Sequence, residues 1–191
     1  MPITVSSSCA GIKIDTKGLL LHILNTAGAM CYDVPNSNMR RAGIGIYGLY
    51  PDLPSDGVVK KPDLKPVLSL KARIVNIHEA KDGEGVSYGH TYTAHGIRKI
   101  ATVPLGYADG VPRGLSNKIN GVLAGREVPQ IGNITMDQMM FDITGVDAQL
   151  GDVVTLLDEN HSIDEWAKIL GTINYELTCR LKVRLPRVYT R

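Results

Sequence analysis

Several short stretches hold residues whose types and spacing could do chemistry. In "EGVSYGHTYTA" (Glu84 to Ala94) two tyrosines, Tyr88 and Tyr92, alternate onto one face of what reads as a strand. A tyrosine with a reference pKa of about 10 moves a proton near neutral pH only where positive charge or hydrogen bonds stabilise its phenolate. "GNITMDQMMFDIT" sets Met136, Asp137 and Gln138 inside an otherwise apolar strand. A buried carboxylate needs partners, so Asp137 reads either as a site residue or as a structural Asp closing a turn. "PLGYADGVPRGLSN" gathers Tyr107, Asp109, Arg113 and Asn117 in a Gly-punctuated loop, the lip of a site or simply a well-formed turn. Asn25 and Thr26 follow an apolar run, and Arg40, Arg41 and Gly43 stand at the start of the next. Thr26 could offer a hydroxyl to a phosphate, and Gly43 would let the backbone approach it. By themselves these residues read more simply as a turn.

The elements that must position these residues fall into two styles. "GLLLHILN" (Gly18 to Asn25) is a continuous apolar run of strand length, as in a parallel sheet buried on both faces. "TAGAMCYDVPNSN" reads as a loop or short helix, and "MRRAGIGIYGLYP" as a second strand ending at Pro51. Residues 1–50 therefore suggest the last strands of a β/α barrel, with 1–17 unassigned. Residues 51–66, rich in Pro and Asp, suggest a linker. From 67 to 191 short alternating segments separated by Gly, Asn and Asp predict a mainly β fold, a C-terminal β-barrel or β-sandwich. One helix is expected in "SIDEWAKIL", with Ser162 and Glu165 as a capping box and Trp166, Ile169 and Leu170 as its apolar stripe. "INYELTCRLKVRLPRVYTR" predicts one or two further strands, with Cys179 in the core.

Composition narrows the classes. The chain has 191 residues, 43% apolar and 21% charged, with a net charge of +2. The near-balanced charge and the lack of basic runs argue against nucleic-acid binding. A single Trp and a single Phe supply no stacking surface. Cys9, Cys31 and Cys179 are odd in number and far apart, which predicts reduced thiols in a cytoplasmic protein rather than disulfides or zinc. No apolar run approaches the ~18 residues of a membrane span, and the start lacks the pattern of a signal peptide. His22, His78, His90, His95 and His161 do not pair at metal spacing. His22 reads as a core or strand-end residue, and Tyr47 and Tyr50 as packing residues at a domain junction.

Taken together, "HILNTAGAM", "RRAGIGIYGLYP", "VSYGHTYTA", "PLGYADGVPRGLSN", "GNITMDQMMFDIT" and "INYELTCRLKVRLPRVY" occur in the order and spacing of the alanine racemases. From about Gly18 to Val188 the chain resembles the C-terminal part of such an enzyme. The resemblance implies an isomerase that uses pyridoxal 5'-phosphate to interconvert L- and D-alanine for the cell wall. It implies that Tyr88 is one of two catalytic bases and that Tyr107, Met136 and Asp137 bind substrate. It further implies that Thr26, Gly43, Ile44 and Tyr175 hold the cofactor phosphate and that Arg41 meets the pyridine nitrogen. An Arg there is too weak an acid to protonate the ring, so the electron sink is a restrained one. A head-to-tail homodimer is implied, with Tyr88 acting in the partner's site.

The lysine that such enzymes use as Schiff base and second base has no counterpart here, since Lys13 and Lys17 lack its surroundings. The expectation is that this chain alone is inactive, whether as a piece of a longer enzyme or as a stand-alone remnant. An alternative is a non-catalytic β-barrel module for dimerisation or binding. A serine-preferring relative also remains open. A related decarboxylase fits less well, because no decarboxylase-type cysteine loop is present.

Overall fold

A computed structural model describes residues 8–9, 12–13, 15–53 and 62–190, with side chains from Asp15 onward. The expectations for residues 1–14, including Cys9 and Lys13 as side chains, and for the linker residues 54–61 lie outside the described residues. The chain divides into two compact units, Met1–Val67 and Leu68–Arg191.

In the first unit, β1 (Ser8–Cys9) and β2 (Ile12–Lys13) form a two-residue antiparallel pair. Helix α1 (Thr26–Cys31) starts where Asn25 caps it, its Oδ1 accepting the Gly28 N–H at 2.9 Å. The predicted strands on either side are not strands. Residues 18–25 and 38–41 run parallel with two backbone bonds, Asn38 N–H to Leu21 O and Arg41 N–H to Leu24 O, both at 3.0 Å, and side-chain bonds from Asn38 and Arg41 instead of a ladder. Parallel ladders are stable when both faces are covered, whereas here Leu19, Leu20, His22 and Ile23 are exposed and only Leu24 of that run is buried. The Gly-rich segment after Arg41 closes into a 3₁₀ turn, Ile44–Tyr47, instead of a strand. Gly48 ends that turn at φ +73°, where a Cβ would meet the Lys65 carbonyl. Tyr50 donates its hydroxyl to the Pro62 carbonyl at 2.5 Å and accepts the Leu64 N–H at 3.2 Å.

The second unit is mainly β. It contains β3 (Leu70–Arg73), β4 (Asn76–Ala80), β5 (Gly85–Val86), β6 (Tyr92–Thr93), β7 (Arg98–Val103), β8 (Asn120–Leu123), β9 (Arg126–Ile131), β10 (Met139–Asp142) and β11 (Val153–Leu157). Seven of these form one antiparallel sheet in the order β3-β11-β8-β9-β10-β7-β4. Its two edge strands, β3 and β4, are separated in sequence only by Ile74 and Val75. The three Cα steps from Arg73 to Asn76 reach no more than ~11 Å, so β3 and β4 follow end to end as one bent strand and the sheet curls into a half-barrel. The adjacent amides confirm it: Ile74 N–H bonds Asp152 O on the β11 side, and Val75 N–H bonds Thr102 O of β7.

Strand alternation divides the side chains. Met139 and Phe141 of β10 pair with Val103 and Ala101 of β7, and all four point into a fully buried interior. The alternate positions Met140, Ile131 and Ile100 face outward. The β5–β6 hairpin covers them through Val86, Tyr92 and Ala94. Apolar area is thus withdrawn from water on both faces of this wall, each large side chain contributing about 1.5–3 kcal/mol. The β8–β9 turn uses Ala124 and Gly125, both at positive φ, as a tight two-residue hairpin requires.

Helix α2 (Ile163–Leu170) is capped by Ser162, whose hydroxyl accepts the Asp164 N–H at 3.1 Å. The reciprocal Glu165 bond of a capping box is not among those of the described residues. Its buried face is Ile163, Trp166 and Ala167, while Ile169 is exposed. The expected last strand is instead α3 (Asn174–Arg180), and Cys179 lies on its exposed side. A helical period suits these residues better: Asn174 and Leu177 are buried one turn apart. Glu176 meets Arg180 four residues on, which a helix supports. Asn174 also ties α3 to α2 by donating to Asp164 Oδ1 at 2.8 Å.

Candidate active site

Tyr88 does not lie on a strand. It heads a 3₁₀ turn, Tyr88–His90, between β5 and β6, and its side chain is 80% exposed. Three residues of this turn have left-handed backbone: Ser87 (φ 65°), Gly89 (φ 72°) and His90 (φ 45°). Such conformations cost about 1–2 kcal/mol each for residues other than glycine and persist only where surrounding contacts impose them. The contacts come from the β9–β10 connection. Ser87 Oγ donates to the Asn133 carbonyl at 2.7 Å, and Asn133 Nδ2 donates to the Tyr88 carbonyl at 2.6 Å. Gly132 packs so close that a Cβ there would stand 2.7 Å from the Val86 carbonyl. Beneath lies a polar network. Buried Gln130 donates to the Ile131 and Gly132 carbonyls and accepts the Asn117 N–H at 2.7 Å. Asn117 in turn accepts the Gly132 N–H at 2.6 Å and donates to Thr91 at 3.2 Å.

The second element is the loop after β7. Gly106 to Gly110 runs against the turn preceding β10: Tyr107 N–H bonds Thr135 O and Ala108 N–H bonds Met136 O, both at 3.0 Å. A Cβ on Gly106 would overlap both carbonyls, so glycine permits this approach. Met136–Gln138 forms that turn and is not strand, contrary to the sequence expectation. Asp137 is not the buried carboxylate; its side chain is exposed. The buried one is Asp109, whose side chain is only 7% exposed. Its partners are the Gly106 N–H at 2.9 Å and Arg184 Nε at 2.6 Å. Burial pushes the Asp109 carboxyl up, but the Arg184 hydrogen bond, the Gly106 amide and the Arg184 charge outweigh it and hold it below the usual range. Arg184 also donates to Asp137 Oδ1 at 2.7 Å, and bonding to the two carboxylates raises its own pKa.

These loops enclose an open cleft of about 850 Å³. Tyr88, Tyr107, Met136 and Asp137 all line it, together with His90, Arg113 and Asn133. The substrate residues expected from sequence are thus brought together with the candidate base. Tyr175 is not part of that lining; it sits half-exposed in the first turn of α3. In the first unit Thr26 is buried and its Oγ1 accepts the Gly45 N–H at 3.4 Å. A Cβ on Gly43 would lie 3.5 Å from that hydroxyl. The Ile44 side chain is buried, so only its backbone is available to a ligand. The Arg41 guanidinium is exposed and reaches the Ile23 carbonyl at 3.5 Å. Sequence reasoning missed Arg184 and Asn133. The requirement that a buried Asp109 find a cation was the signal for Arg184, but the sequence alone did not reveal which carboxylate was buried.

The family model for the alanine racemase C-terminal domain matches residues 67–189. The chain belongs to the alanine racemase family. It is 47% identical over 173 residues to an alanine racemase of Synechocystis, covering 88% of this chain and 46% of that relative. To one of Nostoc it is 44% identical over 183 residues, covering 93% and 46%. Among solved structures, alanine racemase of Bacillus anthracis with bound L-Ala-P superposes with a TM-score of 0.81 at 35% identity, over 92% of this chain and 46% of that one. The enzyme of Clostridium difficile 630 gives 0.80 at 40% identity, with 92% and 46% covered. The chain spans about half the length of the curated alanine racemases it matches. The curled mainly β unit is the alanine racemase C-terminal domain.

Proposed function

We propose that this chain supplies half of the active site of a pyridoxal-phosphate-dependent alanine racemase, with Tyr88 as one of two bases. The observation that carries this is the convergence of Tyr88, Tyr107, Met136 and Asp137, from three separate loops, on one cleft. Racemisation needs a group on each face of the α-carbon, one removing the proton and the other returning it. A phenol held out on an imposed turn suits the first role, and His90 and Arg113 line the same cleft. Tyr107 and the Met136–Asp137 turn, at the same cleft, would orient the substrate carboxylate. The cofactor, when bound, supplies the electron sink that makes the α-proton removable.

The residues present fit its phosphate end. Thr26 and the backbone at Gly43 and Ile44 form a cradle in which Gly43 leaves open the space that a Cβ would fill. Arg41, in the same unit, would meet the ring nitrogen. The second base and the covalent lysine would come from a lysine-bearing barrel half. Tyr88 would act in the site of a second subunit. Incubating this chain with cofactor and L-alanine should yield no D-alanine, and adding the N-terminal half of the Synechocystis relative should restore it. Tyr88→Phe should then reduce turnover at least ~100-fold. Activity from the chain alone would sink the shared-site reading, and full activity of Tyr88→Phe would remove Tyr88 from the mechanism.

A further inference from the structure

Arg184 is absent from the cleft lining yet touches both loops that shape it. Its Nε bonds buried Asp109, at the base of the Tyr107 loop, and its NH2 bonds Asp137, beside Met136. Its own segment is seated on that loop: Lys182 N–H bonds the Asp109 carbonyl at 3.1 Å. Gly110 lies so close to the segment that a Cβ would overlap the Arg180 carbonyl at 2.2 Å. Tail, loop and turn therefore form three layers, joined backbone to backbone by Tyr107–Thr135 and Ala108–Met136 and pinned at the rim by one guanidinium. Arg suits this geometry, because its planar fork serves two acceptors at once and stays charged.

We infer that Arg184 is a positioning residue for the substrate cleft: it clamps the Tyr107 loop to the Met136–Asp137 turn and neutralises Asp137 so that an anionic carboxylate can be accepted beside it. The second part rests on the racemase reading; the clamp itself does not. An uncompensated Asp137 carboxylate at a site for a carboxylate substrate repels it, and the repulsion acts on bound substrate and transition state alike. Loss of Arg184 therefore raises KM more than it lowers kcat.

The test uses the full 191-residue chain as wild type, Arg184→Lys, Arg184→Gln and the double variant Arg184→Gln/Asp109→Asn. The double variant leaves no buried unpaired charge, so it folds even where the single variant does not. Backbone hydrogen exchange is read at Tyr107 and Ala108, with the amides of β9 and β10 as internal reference. In both Gln variants, exchange at Tyr107 and Ala108 should be at least ~10-fold faster while the reference amides stay within ~2-fold, and Lys should fall between. Unchanged Tyr107 and Ala108 protection, or equal acceleration throughout the barrel, overturns the clamp. With the complementing half added, Arg184→Gln should raise KM for alanine ~10-fold and change kcat less than ~3-fold. A loss confined to kcat overturns the charge role. No D-alanine from the wild-type pair refutes the racemase reading and with it the charge role, whereas the exchange result judges the clamp alone.

Discussion

Gly132→Ala probes whether the Tyr88 turn is held by its surroundings or merely tolerated by them. Gly132 has φ +71°, so any alanine there carries about 1 kcal/mol of left-handed strain. Its Cβ would also stand 2.7 Å from the Val86 carbonyl and 2.8 Å from Ser87 Cβ. Two responses are available. Compressing the contact costs about 1–3 kcal/mol. Releasing the turn breaks the Ser87–Asn133 and Asn133–Tyr88 bonds, about 1 kcal/mol each. The responses are nearly matched, so the total is about 3 kcal/mol and the turn yields at least partly. Gly125→Ala is the control, with φ +75° and nothing within 4 Å of its Cβ, so it carries the conformational strain alone. Unfolding is followed through the fluorescence of Trp166, the single Trp, buried on α2. For a unit of this size, 1 kcal/mol corresponds to about 4 °C. Gly132→Ala should melt ~12 °C below wild type and Gly125→Ala ~4 °C below. Equal losses for the two variants would mean that nothing but backbone strain is felt at Gly132 and that the Tyr88 turn is not braced there.

Phe141→Ala removes a fully buried ring from the barrel interior and should cost about 3–5 kcal/mol in urea unfolding with unchanged m-value. Asp109→Asn addresses acid sensitivity. The folded carboxyl is depressed, so its stabilisation is present above the unfolded value of about 3.9 and is lost as pH falls through the lower folded value. The variant should be less stable than wild type by about 1–3 kcal/mol at pH 7, and the difference should shrink below pH 4 in denaturant titrations. His161 is held above its ordinary pKa chiefly by the Asp158 hydrogen bond, with Glu127 adding to it. Its contribution is therefore complete below pH ~6.5 and lost as pH rises through the raised folded value. His161→Gln should flatten the fall in melting temperature between pH 6 and pH 8.

The legibility of the sequence followed the range of the interactions involved. Strands β7 to β11 could be read because each is a short, largely apolar or alternating run between Gly, Asn or Asp turns, a signal contained within a few residues. The curl of the sheet could not, because it depends on Ile74 and Val75 joining opposite edges of one sheet, and no local pattern encodes that. The β-branched and aromatic residues of "INYELTC" pulled α3 toward strand. What decided the matter was Leu177 and Asn174 finding burial one turn apart, with Asn174 bonded to α2. The apolar run at 18–25 misled in the opposite way, since its composition suits a buried parallel strand while most of its side chains stand exposed in this chain. Motifs placed Tyr88, Tyr107, Met136 and Asp137 as candidates. Arg184 and Asn133, which hold them, lie within quoted motifs, but their roles emerge only from contacts across 75 and 45 residues of sequence.

The form of the Tyr88 turn bears on the role proposed for its phenol. Most of a folded domain's large apolar side chains lower the free energy by burial, and Tyr92, four residues on in the same hairpin, does so against the cluster that holds Ile100 and Ile131. Tyr88 forgoes that burial on a backbone with consecutive left-handed residues, braced by Asn133, Ser87 and Gly132. Strain sustained by a dedicated polar network, around a side chain left exposed, supports the role proposed for Tyr88.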